Sequence, residues 1–200
     1  MLRIDYLSVP GLPALSFEVP AGECMAVVGP SGSGKTRLLR AIADLDDAEG
    51  YVTLEGLERR EMAGPTWRRR VRYLSAEPAW WAATPRQHLP ASARLDRLMA
   101  ALALSPALLD RPIAELSTGE RQRLSLLRAI ADDPAVLLLD EPTSALDAAA
   151  AALVEELIKF QMLAGRMILL VSHDDAQIDR LAHARLVLAR PVPAQRSAAA

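Results

Sequence analysis

The chain has 200 residues, 51% of them apolar, with a formal charge of −2 and a pI near 6.0. That suits one globular unit with a substantial core, and the charge balance lacks the basic footprint of a nucleic-acid binder, so no nucleic-acid partner is expected. Cys24 is the only cysteine, which excludes an internal disulfide and points to a reducing compartment.

From the N-terminus, Leu2, Ile4 and Tyr6 alternate with polar positions, as do Leu15, Phe17 and Val19, and Pro10, Gly11 and Pro13 lie between. Two half-buried antiparallel strands are predicted there. No apolar leader opens the chain. Cys24 to Val28 is a continuous apolar run, the mark of a strand buried on both faces. A glycine-rich loop follows, then a helix from about Lys35 to Leu45. Gly50 breaks the chain before a short strand at Val52 and Leu54, and Val71 to Leu74 is a further strand.

The arginines at 59–60, 68–70 and 72 read either as a solvated face or as a contact for acidic headgroups or a partner. Residues 78–116 are rich in Ala and Leu and punctuated by Pro85, Pro90, Pro106 and Pro112, which predicts a small helical subdomain. Its most apolar part, Leu98 to Leu109, is interrupted by Ser105 and Pro106 and is too short to span a bilayer. Beyond it the pattern predicts a helix at 118–131, a buried strand at 136–139 and a long helix at 145–164 closed by Gly165. A strand at 167–171, a helix near 175–182 and a strand at 185–188 complete the series. The tail, 191–200, is expected to be flexible, and no appended regulatory domain is expected after the last strand. Strands alternating with helices argue for a parallel sheet wrapped by helices, an α/β fold.

Three stretches carry chemistry. Gly29-Pro30-Ser31-Gly32-Ser33-Gly34-Lys35-Thr36 lies between a buried strand and a helix. Its glycines let backbone N–H groups face an anion, and the helix dipole adds positive potential. Lys35 can neutralise terminal phosphates, and the Thr36 hydroxyl can complete a Mg2+ shell. Asp140-Glu141 ends a buried strand, at the edge where open α/β sheets bind ligands. Either they are surface acids, or Asp140 holds the metal through water and Glu141 deprotonates the attacking water. Leu116-Ser117-Thr118-Gly119-Glu120-Arg121-Gln122-Arg123 contains a capping box, Ser117 with Glu120, which explains it structurally. Such a helix start is also an anion site.

In this order and spacing the chain resembles the nucleotide-binding domain of an ATP-binding cassette (ABC) protein, from about Leu2 to Leu188. The stretch at Ser117, Thr118, Gly119 and Glu120 resembles the family's signature motif, with Thr118 and Glu120 departing from its commonest residues. Ser144-Ala145-Leu146-Asp147 resembles the loop that passes between subunits, and His173 matches the histidine that contacts the γ-phosphate. The resemblance implies a P-loop NTPase core with an antiparallel β subdomain and a helical subdomain, together one ATPase domain over residues 1–190. It implies ATP and Mg2+, and a second ABC subunit, a homodimer, whose signature helix caps the γ-phosphate. It further implies a separate membrane permease and a place on the cytoplasmic face of the membrane. Small stand-alone transporter subunits are the nearest in overall brevity.

Tyr6 stands about where the family has an aromatic that stacks on adenine; its alternative is a plain strand residue. Trp80-Trp81 is either core of the helical subdomain or the groove that receives a permease helix. Ala76 departs from the family's usual glutamine, which touches the metal or attacking water. Retained but slow or loosely coupled hydrolysis is expected, unless Ser75, Glu77 or a water substitutes. Two other readings follow: a soluble ABC ATPase acting on DNA or ribosomes, which usually has two cassettes or a long insertion, and a non-catalytic ATP-binding module, supported by Ala76 alone.

Overall fold

The structure, a computed structural model, describes residues 1–89 and 92–189. Pro90 and the tail from Arg190, expected to be flexible, lie outside the described residues.

The chain opens with β1 (Leu2–Ser8), β2 (Leu15–Val19) and β3 (Cys24–Val28), followed by α1 (Lys35–Ile42), β4 (Glu49–Leu54) and β5 (Leu57–Glu58). Next come α2 (Gly64–Arg70), β6 (Val71–Leu74), α3 (Ala93–Ala101), α4 (Thr118–Ala131) and β7 (Val136–Asp140). It closes with α5 (Ala148–Leu163), β8 (Met167–Val171), α6 (Asp175–Leu181) and β9 (Ala184–Val187). An antiparallel sheet has the order β2-β1-β4-β5, and a wholly parallel sheet has the order β6-β7-β8-β3-β9. The α/β expectation holds because β3, β7 and β8 are sandwiched between two cores. One contains Leu38, Leu39, Ile42 and Trp67 under the antiparallel sheet. The other contains Met99, Leu124, Leu127 and Val154 from the helices on the opposite face.

Several boundaries differ from expectation for local reasons. Gly50 lies inside β4 rather than breaking it. Its φ is 92°, and a Cβ there would sit 2.3 Å from the Tyr6 carbonyl, where β1 bulges and its register shifts. Helix α1 stops at Ile42 because Asp44 turns left-handed, with φ 59°. Helix α5 starts at Ala148, since the Asp147 side chain accepts from the Ala150 N–H and so occupies the cap. At its other end Gly165 N–H reaches Met162 O and Arg166 N–H reaches Gln161 O, a Schellman closure. Among the described residues of the segment expected to be helical, only α3 is α-helix. Short 3₁₀ turns begin at Pro85 and Pro106, where the missing N–H costs nothing.

Helix α2 was not expected. Trp67 on it is fully buried and donates Nε1–H to the Ile42 carbonyl at 2.9 Å. Trp67→Ala should lower unfolding free energy by about 3–5 kcal/mol, read by urea denaturation. The arginines around it are paired: Arg68 with Asp44, Arg70 with Glu55 and Arg72 with Asp132. Arg59 corrects the solvated-face reading, since it is buried and donates to the Ala41 carbonyl at 2.6 Å.

Candidate functional site

The loop from Gly29 to Gly34 connects β3, an interior strand of its sheet, to α1. Gly29, Gly32 and Gly34 all have positive φ, and a Cβ on Gly29 would sit 2.4 Å from the Leu188 carbonyl. Gly34 is the N-cap of α1 and makes no side-chain cap bond, so the first N–H groups of the helix remain for an anion. Lys35 is buried, and its Nζ donates to the carbonyls of Gly29 at 2.8 Å and Pro30 at 3.2 Å. The Ser33 hydroxyl is buried beneath the loop with no partner. Arg37 donates to the Pro10 carbonyl, and Leu12 packs at Gly34, so residues 10–12 lie over the loop.

Asp140 ends β7, is only 3% exposed, and its Oδ2 accepts from Thr36 Oγ1 at 2.7 Å and from Tyr73 Oη at 3.1 Å. Thr36 and Asp140 are hard oxygen donors side by side. That suits Mg2+, which takes few protein ligands and completes its shell with water and phosphate. Glu141 follows with φ 51°, a left-handed turn that redirects its side chain. Its Oε2 accepts from the His173 N–H at 3.3 Å. His173 Nε2 lies 3.3 Å from Oε1, outside hydrogen-bond geometry, so Oε1 is buried and unpartnered. Burial, against the opposing influence of His173, raises the Glu141 carboxyl above the usual range.

These residues share one cleft of about 490 Å³. Ser31, Gly32, Gly34, Lys35 and Thr36 form one side, and Asp140, Glu141 and His173 the other. Ala76 also lines it, whereas Ser75 turns its hydroxyl onto the Glu77 carbonyl at 2.7 Å and neither residue lines the cleft. Arg40, paired to Asp46 at 2.7 Å, is at the same mouth. Arg40, Asp46 and Tyr73 had no role in the sequence reading. The period-2 pattern of β6 makes no distinction between a tyrosine facing core and one facing an acid.

Ser117, Thr118, Gly119 and Glu120 are not in the cleft. Ser117 Oγ accepts from the Glu120 N–H at 3.2 Å, and Glu120 Oε2 accepts from the Ser117 N–H at 2.8 Å, the reciprocal capping box. The same helix anchors the acid-bearing loop through Gln122, also without an assigned role beforehand. Its side chain is buried, donates to the Glu141 carbonyl at 2.8 Å and accepts from the Ala145 N–H at 3.0 Å. A Cβ on Gly119 would touch Leu146 at 3.3 Å, so the helix start and the 144–147 loop are in close packing.

Two aromatic expectations divide. Tyr6 is 74% exposed on the β1 bulge but does not line the cleft; Gly11, between Pro10 and Leu12, does, and that stretch has no aromatic residue. Trp80 packs against the helical core, whereas Trp81 is 76% exposed. The Arg128 guanidinium lies 4.6 Å and 4.9 Å from their ring centroids. Among the described residues, no helix is long and apolar enough to cross a membrane.

Residues 12–144 match the ABC transporter family profile. Protein STAR1 of Oryza sativa subsp. japonica is 38% identical over 183 residues, covering 86% of this chain and 53% of that protein. ABC transporter I family member 17 of Arabidopsis thaliana is 33% identical over 183 residues, covering 86% and 70%. The chain thus spans about half the length of the rice relative. A solved ATP binding subunit of an ABC transporter superposes with a TM-score of 0.85 at 25% identity, over 96% of this chain and 88% of that one. With the profile covering most of the chain and the phosphate loop, acid pair and capped helix all in place, this chain belongs to the ABC transporter family as a nucleotide-binding domain.

Proposed function

We propose that residues 1–190 form one ATPase unit, with 78–116 as its helical subdomain, that binds ATP with Mg2+ in the cleft and hydrolyses it. The observation that carries this is the convergence of Lys35, Thr36, Asp140, Glu141 and His173 on one cleft around an unpartnered Glu141 Oε1. Lys35 and the α1 N-terminus hold the phosphates, and Thr36 and Asp140 hold the metal, which when bound neutralises phosphate charge. Glu141 takes a proton from water as that water attacks the γ-phosphorus; the bond to the β–γ bridging oxygen breaks and ADP leaves. His173, beside Glu141, contacts the γ-phosphate.

The single-chain cleft lacks the helix start at Ser117. Its absence from the cleft supports a two-copy assembly in which Ser117 to Glu120 of one chain face the phosphates held by the other. Ser117→Arg should leave ATP affinity within about twofold while lowering turnover at least roughly a hundredfold, measured by nucleotide titration and phosphate release. Equal loss of binding would count against the shared site.

The assembly would drive a separate membrane permease from the cytoplasmic face, with Trp81 beside Trp80 as the docking edge; exposed aromatics near an arginine suit such a contact. Ala76 favours a second reading, a weakly hydrolysing regulatory module, because no polar side chain from 75–77 enters the cleft. Ala76→Gln should raise steady-state ATPase several-fold, about 1 kcal/mol of barrier. Identical rates with and without partner would remove the role assigned to this position.

A further inference from the structure

A larger cavity, about 690 Å³, opens between α3 and α5. Asp133 precedes β7 and Arg166 precedes β8, so it lies at the starts of the strands, whereas the phosphate cleft lies at their ends. Leu98, Leu153, Leu157 and Phe160 make an apolar wall. The charged rim carries Arg94, Arg97 and Arg166 against two carboxylates, Asp133 and Glu156. Asp133 is shared, 2.6 Å from Arg94 and in contact also with Arg166, while Glu156 is engaged by Lys159 at 2.7 Å. Crowding of Arg166 by burial and by Arg94 lowers its proton affinity, a stress that a bound anion relieves.

Two polar atoms are left over. Gln161 is 1% exposed and its Oε1 has no hydrogen-bond partner; Arg94 Nε is buried and likewise unpartnered. Both residues line this cavity, and an orphaned donor and an orphaned acceptor each cost about 1–3 kcal/mol until a small side-chain shift lets a ligand satisfy them. The volume is that of a small-molecule site, with an apolar body and few polar contacts. We propose that this cavity binds a small amphiphilic acid with a hydroxyl group, its carboxylate on Arg94 and Arg166, its chain on Leu153 and Leu157, and its hydroxyl donating to Gln161 Oε1. The site is separate from the nucleotide cleft and does not depend on the function proposed above.

The test is an NMR titration of the full chain with 3-hydroxydodecanoate, dodecanoate and 1,3-dodecanediol. The hydroxy acid should bind saturably, with shifts at Leu98, Leu153 and Gln161 and none at Lys35 and Thr36. Removing the hydroxyl should weaken binding about fivefold, and removing the carboxylate at least tenfold. Gln161→Leu should erase the hydroxyl preference while dodecanoate affinity stays the same. If that variant does not fold, Leu153→Trp, which fills the cavity, should weaken all acids, and the three-ligand series on the unaltered protein still decides. No saturable shift up to about 1 mM would overturn the site. So would equal affinity for the diol, shifts confined to exposed Leu163 and Trp81, or occupation of this face by a second copy.

Discussion

Glu141→Gln is expected to cut ATP turnover at least roughly a hundredfold, the range for loss of a positioned general base. ATP should then remain bound, and two chains should co-elute on size exclusion in its presence. The geometry explains why this residue carries so much. Its Oε1 is buried without a hydrogen-bond partner, its backbone is held left-handed by the Val171 carbonyl and Gln122, and His173 lies beside it. The base works as the carboxylate, and burial raises its pKa, so activity should fall as pH drops through that raised value. The acid limb of the rate profile should therefore lie above the ordinary carboxylate range. Glutamine cannot titrate, so the residual rate of the variant should lack that limb. A fully active, monomeric variant would refute both the base assignment and the two-copy site.

Lys35→Ala should weaken ATP binding about a hundredfold, the worth of a charge-assisted bond to phosphate together with the loop order it maintains. Lys35 now closes the loop on itself through the carbonyls of Gly29 and Pro30, and its charge is set at the start of α1. The variant loses those bonds but also a buried cation, so its melting temperature without nucleotide should change little. Saturating ATP stabilises the parent by about 2.7 kcal/mol at a hundredfold excess over the dissociation constant, and at the same ATP concentration this increment should fall to about 0.4 kcal/mol in the variant. Differential scanning fluorimetry with and without ATP separates the two effects. An unchanged ATP-dependent shift would remove Lys35 from the site. Lys35→Arg should not restore affinity, because a planar guanidinium does not fit the position of a compact ammonium.

Most of the order of strands and helices was legible because buried runs such as Cys24–Val28 and Val136–Leu139 are too short for helices and suit strands covered on both faces. The phosphate loop was legible because its glycines, lysine and threonine act within eight consecutive residues. The capping box at Ser117 was legible for the same reason: its two bonds span three residues. Local interactions leave local patterns.

What only the tertiary structure decided is what faces what across long separations. Tyr73 and Thr36 meet on one oxygen of Asp140, from positions 67 and 104 residues away. Gln122 ties the signature helix to Glu141 and Ala145, and Trp67 makes a helix of a stretch whose arginines read as surface. Tyr6 is turned outward on a bulge where Gly50, across the strand pair, leaves room for its carbonyl. The 690 Å³ cavity, with Arg94, Asp133, Gln161 and Arg166 drawn from three separate segments, has no linear signature at all. Sequence determines which residues can bind a phosphate, since that chemistry is written in adjacent backbone and side chains. The packing of the sheet and its helices decides which groups are brought to share a cleft, which are held outside it, and which are left without a partner.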